Sequence, residues 1–486
     1  MRRRSLVVAG CCSLLGCTAL DPHAYDPAAQ RRLRDDAVGE CARLFALIDH
    51  RIDAEGTRDA QSPRVPGFPH LRVDRVLAKL ATAATVAEGD GSATPWYRAL
   101  AQLDTADRAI ELANTGGTTT ATVEALAACR QTLSHADQEQ LAKLQAVADV
   151  PDDYSTMLRA LGLYPLTRYL FAAGIEHWRQ ETLATFAAQA VGTTSGPQRV
   201  RYVPEPLPES LPAIRDLPQL GLPSVAGPAL AELVVRHAPR LEIETAGDAD
   251  RPGALVWQPD GAGGERLAVA TAVPVLYVRG GHAQVAGRWL LQLSYTAWFS
   301  ERPPARAPDL LAGRFDGLLW RVTLAEDGDA LVYDTIHPCG CYHLFFPGER
   351  LRARARPAGI DEGLFAPQTL PAPMANERVV LRLAAGTHYL QQVVVEAAAA
   401  VGGVRLALRD DDELRSLPLP RAGRRSAFAA DGLLPGSERS ERFFFWPMGV
   451  RSAGQMRQWG RHATAFVGRR HFDDPALLDR YFERLP

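Results

Sequence analysis

Prolines at 197, 204, 206, 208, 212, 218, 223 and 228 crowd the stretch 192–228, and no other feature restricts the folding of this chain as much. Each proline removes an amide hydrogen that a helix needs and fixes φ at about −65°, so the stretch must run extended. It divides the 486 residues into two parts that read differently. Two courses fit the stretch itself: a loose linker over 191–228, or a strap packed along a domain surface, since Ile214, Leu217, Leu220 and Leu222 punctuate it.

Upstream, over 27–190, alanine, leucine and charged residues recur at helical spacing, with few β-branched runs. The spacing predicts helices over 27–53, 73–84, 95–114 and 122–147, and a further pair flanking Gly162-Leu163-Tyr164-Pro165 and ending near Ala190. Gly116-Gly117 separates the third from the fourth. Downstream, a short helix over 229–237 gives way to the alternation of strands over 267–278, 288–299, 318–324, 330–337 and 379–383. Asp327-Gly328 between two alternating runs predicts a hairpin turn. Asp473-Asp474-Pro475 supplies an N-cap and a first-turn proline for a last helix reaching Phe482. The expected fold class is therefore α+β, a helical bundle over 27–190 followed by a β-rich domain, sandwich or barrel-like, over 229–486 with a C-terminal helix.

The N-terminus carries Arg2-Arg3-Arg4, an apolar run from Ser5 to Leu15, and then Leu14-Leu15-Gly16-Cys17. This pattern resembles the export signal and lipobox of bacterial lipoproteins. Val8-Ala9-Gly10-Cys11 competes locally, but cutting before Cys11 leaves only about six residues after the arginines, below the roughly 7 to 15 of a signal core. Cys17 is the expected lipidation site. The resemblance implies loss of residues 1–16, a diacylglycerol thioether on Cys17 with an acylated amine, and a lipidated tether over 17–26. Thr18, in place of an aspartate, implies the outer rather than the inner membrane. The apolar run is too short to span a bilayer core, which needs about 20 residues.

A formal charge of −2 lacks the basic footprint that nucleic acid requires, so nucleic acid is excluded as the main partner. Lys79 and Lys143 are the only lysines, so arginine clusters carry less information here than usual. In the oxidising compartment that the lipoprotein resemblance implies, Cys41, Cys129, Cys339 and Cys341 remain to form disulfides. Pairing Cys41 with Cys129 and Cys339 with Cys341 is the simplest arrangement.

The segment His337-Pro338-Cys339-Gly340-Cys341-Tyr342-His343 brings two imidazoles and two thiols together. On a straight strand the histidines would stand roughly 20 Å apart. A turn at 338–341, with Gly340 supplying the reversal, would instead gather all four on one side. Three readings are open. In the first, some of His337, Cys339, Cys341 and His343 are metal ligands for zinc or copper, completed by a distant group such as His388, His462 or His471. In the second, Cys339 and Cys341 form a strained, easily reduced disulfide. In the third, one thiol works beside a histidine as a nucleophile or redox group.

Near the C-terminus Arg461, His462, Arg469, Arg470 and His471 stand among aromatic residues, a mixture suited to an anion or a sugar. Internal hydrogen bonding of the two histidines beside a capped helix is the competing reading. Arg350, Arg352, Arg354 and Arg356 alternate as one cationic strand face, fit either for lipopolysaccharide phosphates and peptidoglycan carboxylates or for plain solvation. His-Glu-x-x-His, Gly-x-Ser-x-Gly and phosphate-binding glycine loops do not occur. The expectation is a lipid-anchored envelope protein that binds a metal or an envelope ligand near 337–343. Its rival is a metal- or thiol-dependent periplasmic enzyme acting on cell-wall or lipid material. A deep cleft lined by His337, Cys341, His343 and a distant acid or histidine would favour the enzyme, and a bonded Cys339–Cys341 pair the binding module.

Overall fold

The computed structural model describes residues 31–32, 34–35, 38–81, 94–117, 120–190, 198–355, 359–398 and 402–485, so Cys17 and its tether lie outside the described residues. Helices and strands are mixed, and the dominant element is a curled ten-stranded sheet, a half-barrel. Its strands are β1 (Arg199–Pro204), β2 (Arg240–Glu244), β3 (Val275–Val285), β4 (Arg288–Arg302), β5 (Gly313–Leu324), β6 (Ala330–Ile336), β7 (Leu344–Pro347), β8 (Glu377–Leu383), β9 (Leu390–Ala397) and β10 (Val404–Asp410). Across the sheet the order is β7-β6-β5-β4-β3-β10-β1-β2-β8-β9. From β3 to β7 the chain is an antiparallel meander. Strand β10 lies parallel to both β3 and β1, and β8 lies parallel to β2.

Strands β5 and β6 are buried almost throughout, on both faces. The polar positions that alternate along them are paired inside, Arg321 with Asp334 at 2.8 Å. The Asp327-Gly328 hairpin forms between them, with Gly328 at φ +81° and its N–H donating to the Ala325 carbonyl at 3.0 Å. The strand expected over 267–278 is two strands. Glu265–Ala270 pairs with Ala254–Pro259 in a separate hairpin, and β3 begins only after Pro274. Proline cannot donate to a ladder, so the break falls there. The last helix is also shorter than expected: Leu477–Tyr481 forms it, and Phe482–Arg484 pairs instead with Leu351–Ala353.

The long helices are α1 (Gly39–Ala54), α2 (Pro95–Asn114), α3 (Thr120–Asp137) and α4 (Tyr164–Ala190). Helix α2 begins where proline and a cap coincide, the Thr94 hydroxyl accepting from the Tyr97 N–H at 3.2 Å. Cys41 and Cys129 bridge α1 to α3 with Cα atoms 5.0 Å apart. A small hairpin, Arg64–Val65 with Phe68–Arg72, is set among these helices, where helical spacing predicted none. Helix α4 leaves the bundle and lies on the sheet, with Trp178 and Phe186 in its apolar core. The proline stretch is built into the body: it opens with β1, and its Leu217, Leu220 and Leu222 pack with Trp96 and Val65.

Candidate functional site

The turn over 338–341 is present. Gly340, at φ +92°, donates its N–H to the His337 carbonyl at 2.8 Å, and His337 donates to the Cys341 carbonyl at 3.0 Å. A side chain at 340 would collide with the Ala463 carbonyl, 2.3 Å from where its Cβ would stand.

The turn nevertheless does not gather the four residues. In the antiparallel register Thr335 faces Leu344 and Asp334 faces Phe345, so His337 projects with Thr335 and Leu344 while His343 projects with Asp334 to the opposite side. His343 Nε2 lies 2.9 Å from Asp334 Oδ2, and Asp334 is held by Arg321 at 2.8 and 2.5 Å. Burial pushes the His343 pKa down to about 3. Among the described residues no three His, Cys, Asp or Glu side chains are grouped to hold a metal ion. Cys339 and Cys341 are free thiols, with the Cys341 N–H donating to Cys339 Sγ at 3.4 Å. Hydrogen bonding to Cys339, and then burial, push the Cys341 thiol up, the reverse of what a reactive thiolate needs.

What His337 joins is a different set. Its Nδ1 lies 3.3 Å from Asp316 Oδ1, and the second oxygen of Asp316 lies 2.8 Å from His388 Nδ1. His388 Nε2 is 3.5 Å from Asp250, and Arg439 stands 3.8 Å from Asp316. All of these side chains are buried. Strand β5 supplies Asp316, the turn after β6 supplies His337, and the β8–β9 connection supplies His388. Burial alone would push Asp316 up, but bonds from His337 and His388 hold it well below the usual carboxylate range. Burial lowers His337 by more than Asp316 raises it, so this imidazole is neutral at pH 7. His388, between two carboxylates, is raised despite its burial. An anionic Asp316 places the His337 proton on Nδ1, leaving Nε2 as an acceptor.

His337 lines a cavity of about 490 Å³ between α4 and the sheet, together with Trp178, Leu318, Tyr342, Tyr389 and Gln391. The Tyr389 hydroxyl donates to that of Tyr342 at 2.7 Å, and the Arg302 guanidinium lies 4.7 Å from the Tyr389 ring centre. Three bulky residues here take left-handed backbone conformations: Phe315 at φ +58°, Tyr342 at +63° and His388 at +52°. Each costs about 1–3 kcal/mol and persists only where its surroundings fix it, a pattern concentrated at functional sites. Of the residues expected to line a cleft, His337 does so, backed by Asp316 and through it His388, whereas Cys341 and His343 do not. The sequence offers His388 only as a distant metal ligand. Asp250, Asp316, Trp178 and Tyr389 have no local sequence signal, and Tyr342 stands within 337–343 with no role read for it.

The three arginines of the C-terminal group are each held by a nearby acid. Arg461 pairs with Asp153 at 2.7 Å, Arg469 with Asp152, and Arg470 lies 3.7 Å from Glu362 while donating to the Thr464 carbonyl. His471 is 3.3 Å from Asp152, and buried His462 is pushed down to about 3 by desolvation. None of these five residues lines the cavity beside His337. Of the arginine ladder, Arg350 pairs with Asp327 and Arg352 with Glu483, Arg354 donates to backbone carbonyls, and Arg356 lies outside the described residues. No helix among the described residues is long and apolar enough to cross a membrane. No family model, no curated protein and no solved structure matches the chain.

Proposed function

We propose that the chain is an outer-membrane lipoprotein, anchored through Cys17, whose α4–sheet cavity binds a saccharide of envelope material. The observation that carries it is the cavity's make-up. Trp178, Tyr342 and Tyr389 offer aromatic surface for a sugar ring, while Gln391, Thr335 and the neutral His337 Nε2 offer hydrogen-bonding groups beside it. Calorimetric titration with soluble peptidoglycan glycan fragments tests it. Trp178→Ala and His337→Ala should each weaken binding by about tenfold, the loss of roughly 1.4 kcal/mol. No heat of binding from the unaltered protein would refute the reading.

Catalysis is a second reading, favoured by the Asp316–His337 pair, which has the arrangement of an oriented general base. New reducing ends appearing in the same mixtures, and lost in His337→Gln while binding persists, would identify it. The anchor has its own test. Cys17→Ser should release the protein from membranes or leave it unprocessed; continued processing and attachment, with Cys11→Ser instead defective, would move the lipid to Cys11.

A further inference from the structure

The chain exposes one apolar surface that neither the cavity nor the core explains. Met157 and Leu161 on the short helix Thr156–Leu161, then Leu163, and Leu166, Tyr169 and Leu170 on the first turns of α4 all face outward, Leu166 at 69% and Leu170 at 77% exposure. Beside them Phe443, Phe444 and Trp446 are exposed on the segment 442–448. The two segments form one surface. Phe171 of α4 meets Phe445 with ring centres 5.2 Å apart, and Gly162 lies so close to Pro447 that a Cβ would stand 2.5 Å from its Cα. Isolated exposed leucines are ordinary, but a continuous patch of this kind is not.

The charges carried by the two segments themselves are all positive. No acidic residue occurs from Tyr154 to Ile175 or from Arg442 to Phe472, stretches that hold Arg159, Arg168, Arg442 and Arg451. Arg168 lies 4.0 Å from Asp361, Arg442 covers the Phe443 ring at 4.9 Å, and Arg451 is exposed. Exposed leucine and phenylalanine, with tyrosine, tryptophan and the guanidinium groups of Arg168, Arg442 and Arg451 on the same two segments, are the residue types of a bilayer interface. There the apolar side chains enter the acyl boundary, the amphipathic rings sit at headgroup depth and the guanidinium groups reach lipid phosphates.

We propose that this face docks on an anionic phospholipid surface, orienting the body independently of any acyl anchor. The test uses the full chain as Cys17→Ser, so that lipidation plays no part, floated with vesicles of phosphatidylethanolamine and phosphatidylglycerol. The protein should float with the vesicles, and Leu170→Asp with Phe444→Asp should reduce the bound fraction by about tenfold or more, since each change removes apolar burial and adds a repelled charge. Both positions are exposed, and an unchanged circular dichroism spectrum verifies that the variant is folded. Brominated lipid should quench tryptophan fluorescence in the parent protein and much less in Trp446→Phe. Failure to float, equal flotation of the double variant, or sedimentation as a dimer that the double variant splits would each overturn the proposal, the last assigning the face to a second copy. Loss of vesicle binding here leaves the lipid on Cys17 to be judged separately, by acyl labelling of the unaltered chain.

Discussion

Single side chains in this protein are governed by burial against partnership, and Glu441 shows which prevails. It sits close to Arg439, Arg302 and Asp316, and burial outweighs the two arginines, raising its pKa to about 7. A carboxyl that is protonated in the folded chain but ionised in the unfolded one makes the folded state bind more protons between those two pKa values. Stability contributed at this position is therefore greatest at low pH and falls as pH rises from about 4.5 through about 7. The fall is on the order of 3 kcal/mol. Glu441→Gln should abolish it: denaturant midpoints of variant and parent should diverge in the variant's favour between about pH 5 and about pH 8. Taking the difference cancels other titrating groups, Asp410 among them, so a constant difference across that range would contradict the account. Asp316 behaves in the opposite sense, its pKa being held low by the two histidines, and its contribution is lost only on strong acidification.

Among the elements, what was legible in the sequence was whatever depends on near neighbours. Helix α2 was predicted over the bounds it has, because Thr94, Pro95 and the Gly116-Gly117 break mark both ends. The Asp-Gly hairpin was legible for the same reason. The pairing of Cys41 with Cys129 followed from compartment and helical placement, and the bridge joins α1 to α3 across a separation of 88 residues. A loop of that size corresponds to about 4 to 5 kcal/mol in the chain-entropy model. Replacing both cysteines by alanine should lower unfolding free energy by about that much, and reductant should affect the parent equally and the variant not at all. If reductant left the parent's denaturation curve unmoved, the bridge would carry no stability. The turn at Gly340 was also legible, whereas its consequence was not. Which face His337 and His343 occupy depends on the β6–β7 register, and a shift of one residue exchanges the faces. Proline and glycine announce a turn without announcing its register.

Over the whole molecule, the association between the helices and the sheet depends on charges that sequence proximity does not reveal. Helix α2 turns Asp104, Asp107, Arg108 and Glu111 inward, all buried. Arg415, far along the chain, reaches Asp107 at 2.5 Å across a separation of 308 residues and Asp59 at 2.8 Å across 356. Arg72 adds bonds to Glu111 at 2.6 Å and Asp104 at 3.3 Å, and Arg279 reaches Asp411 and Gln61. A helical stripe of carboxylates reads locally as a solvated face, and only the distant arginines make its burial tolerable. Removing one partner from such a layer is worse than never having it, because the remaining charges stay desolvated. Arg415→Met should therefore destabilise the fold by about 3–5 kcal/mol at neutral pH. Burial already raises Asp107 against the pull of Arg415. Without that arginine Asp107 must titrate higher still and Asp59, which Arg415 helps to hold below the usual carboxylate range, must rise, so acidification should protonate them and shrink the penalty. Adding Asp107→Asn to Arg415→Met should recover part of the loss by removing one unpaired carboxylate. Urea denaturation of the single and double variants at neutral and mildly acidic pH checks both expectations. A penalty that ignored pH and was not relieved by Asp107→Asn would mean that Arg415 holds the two parts together by packing its stem rather than by neutralising the carboxylates beneath it.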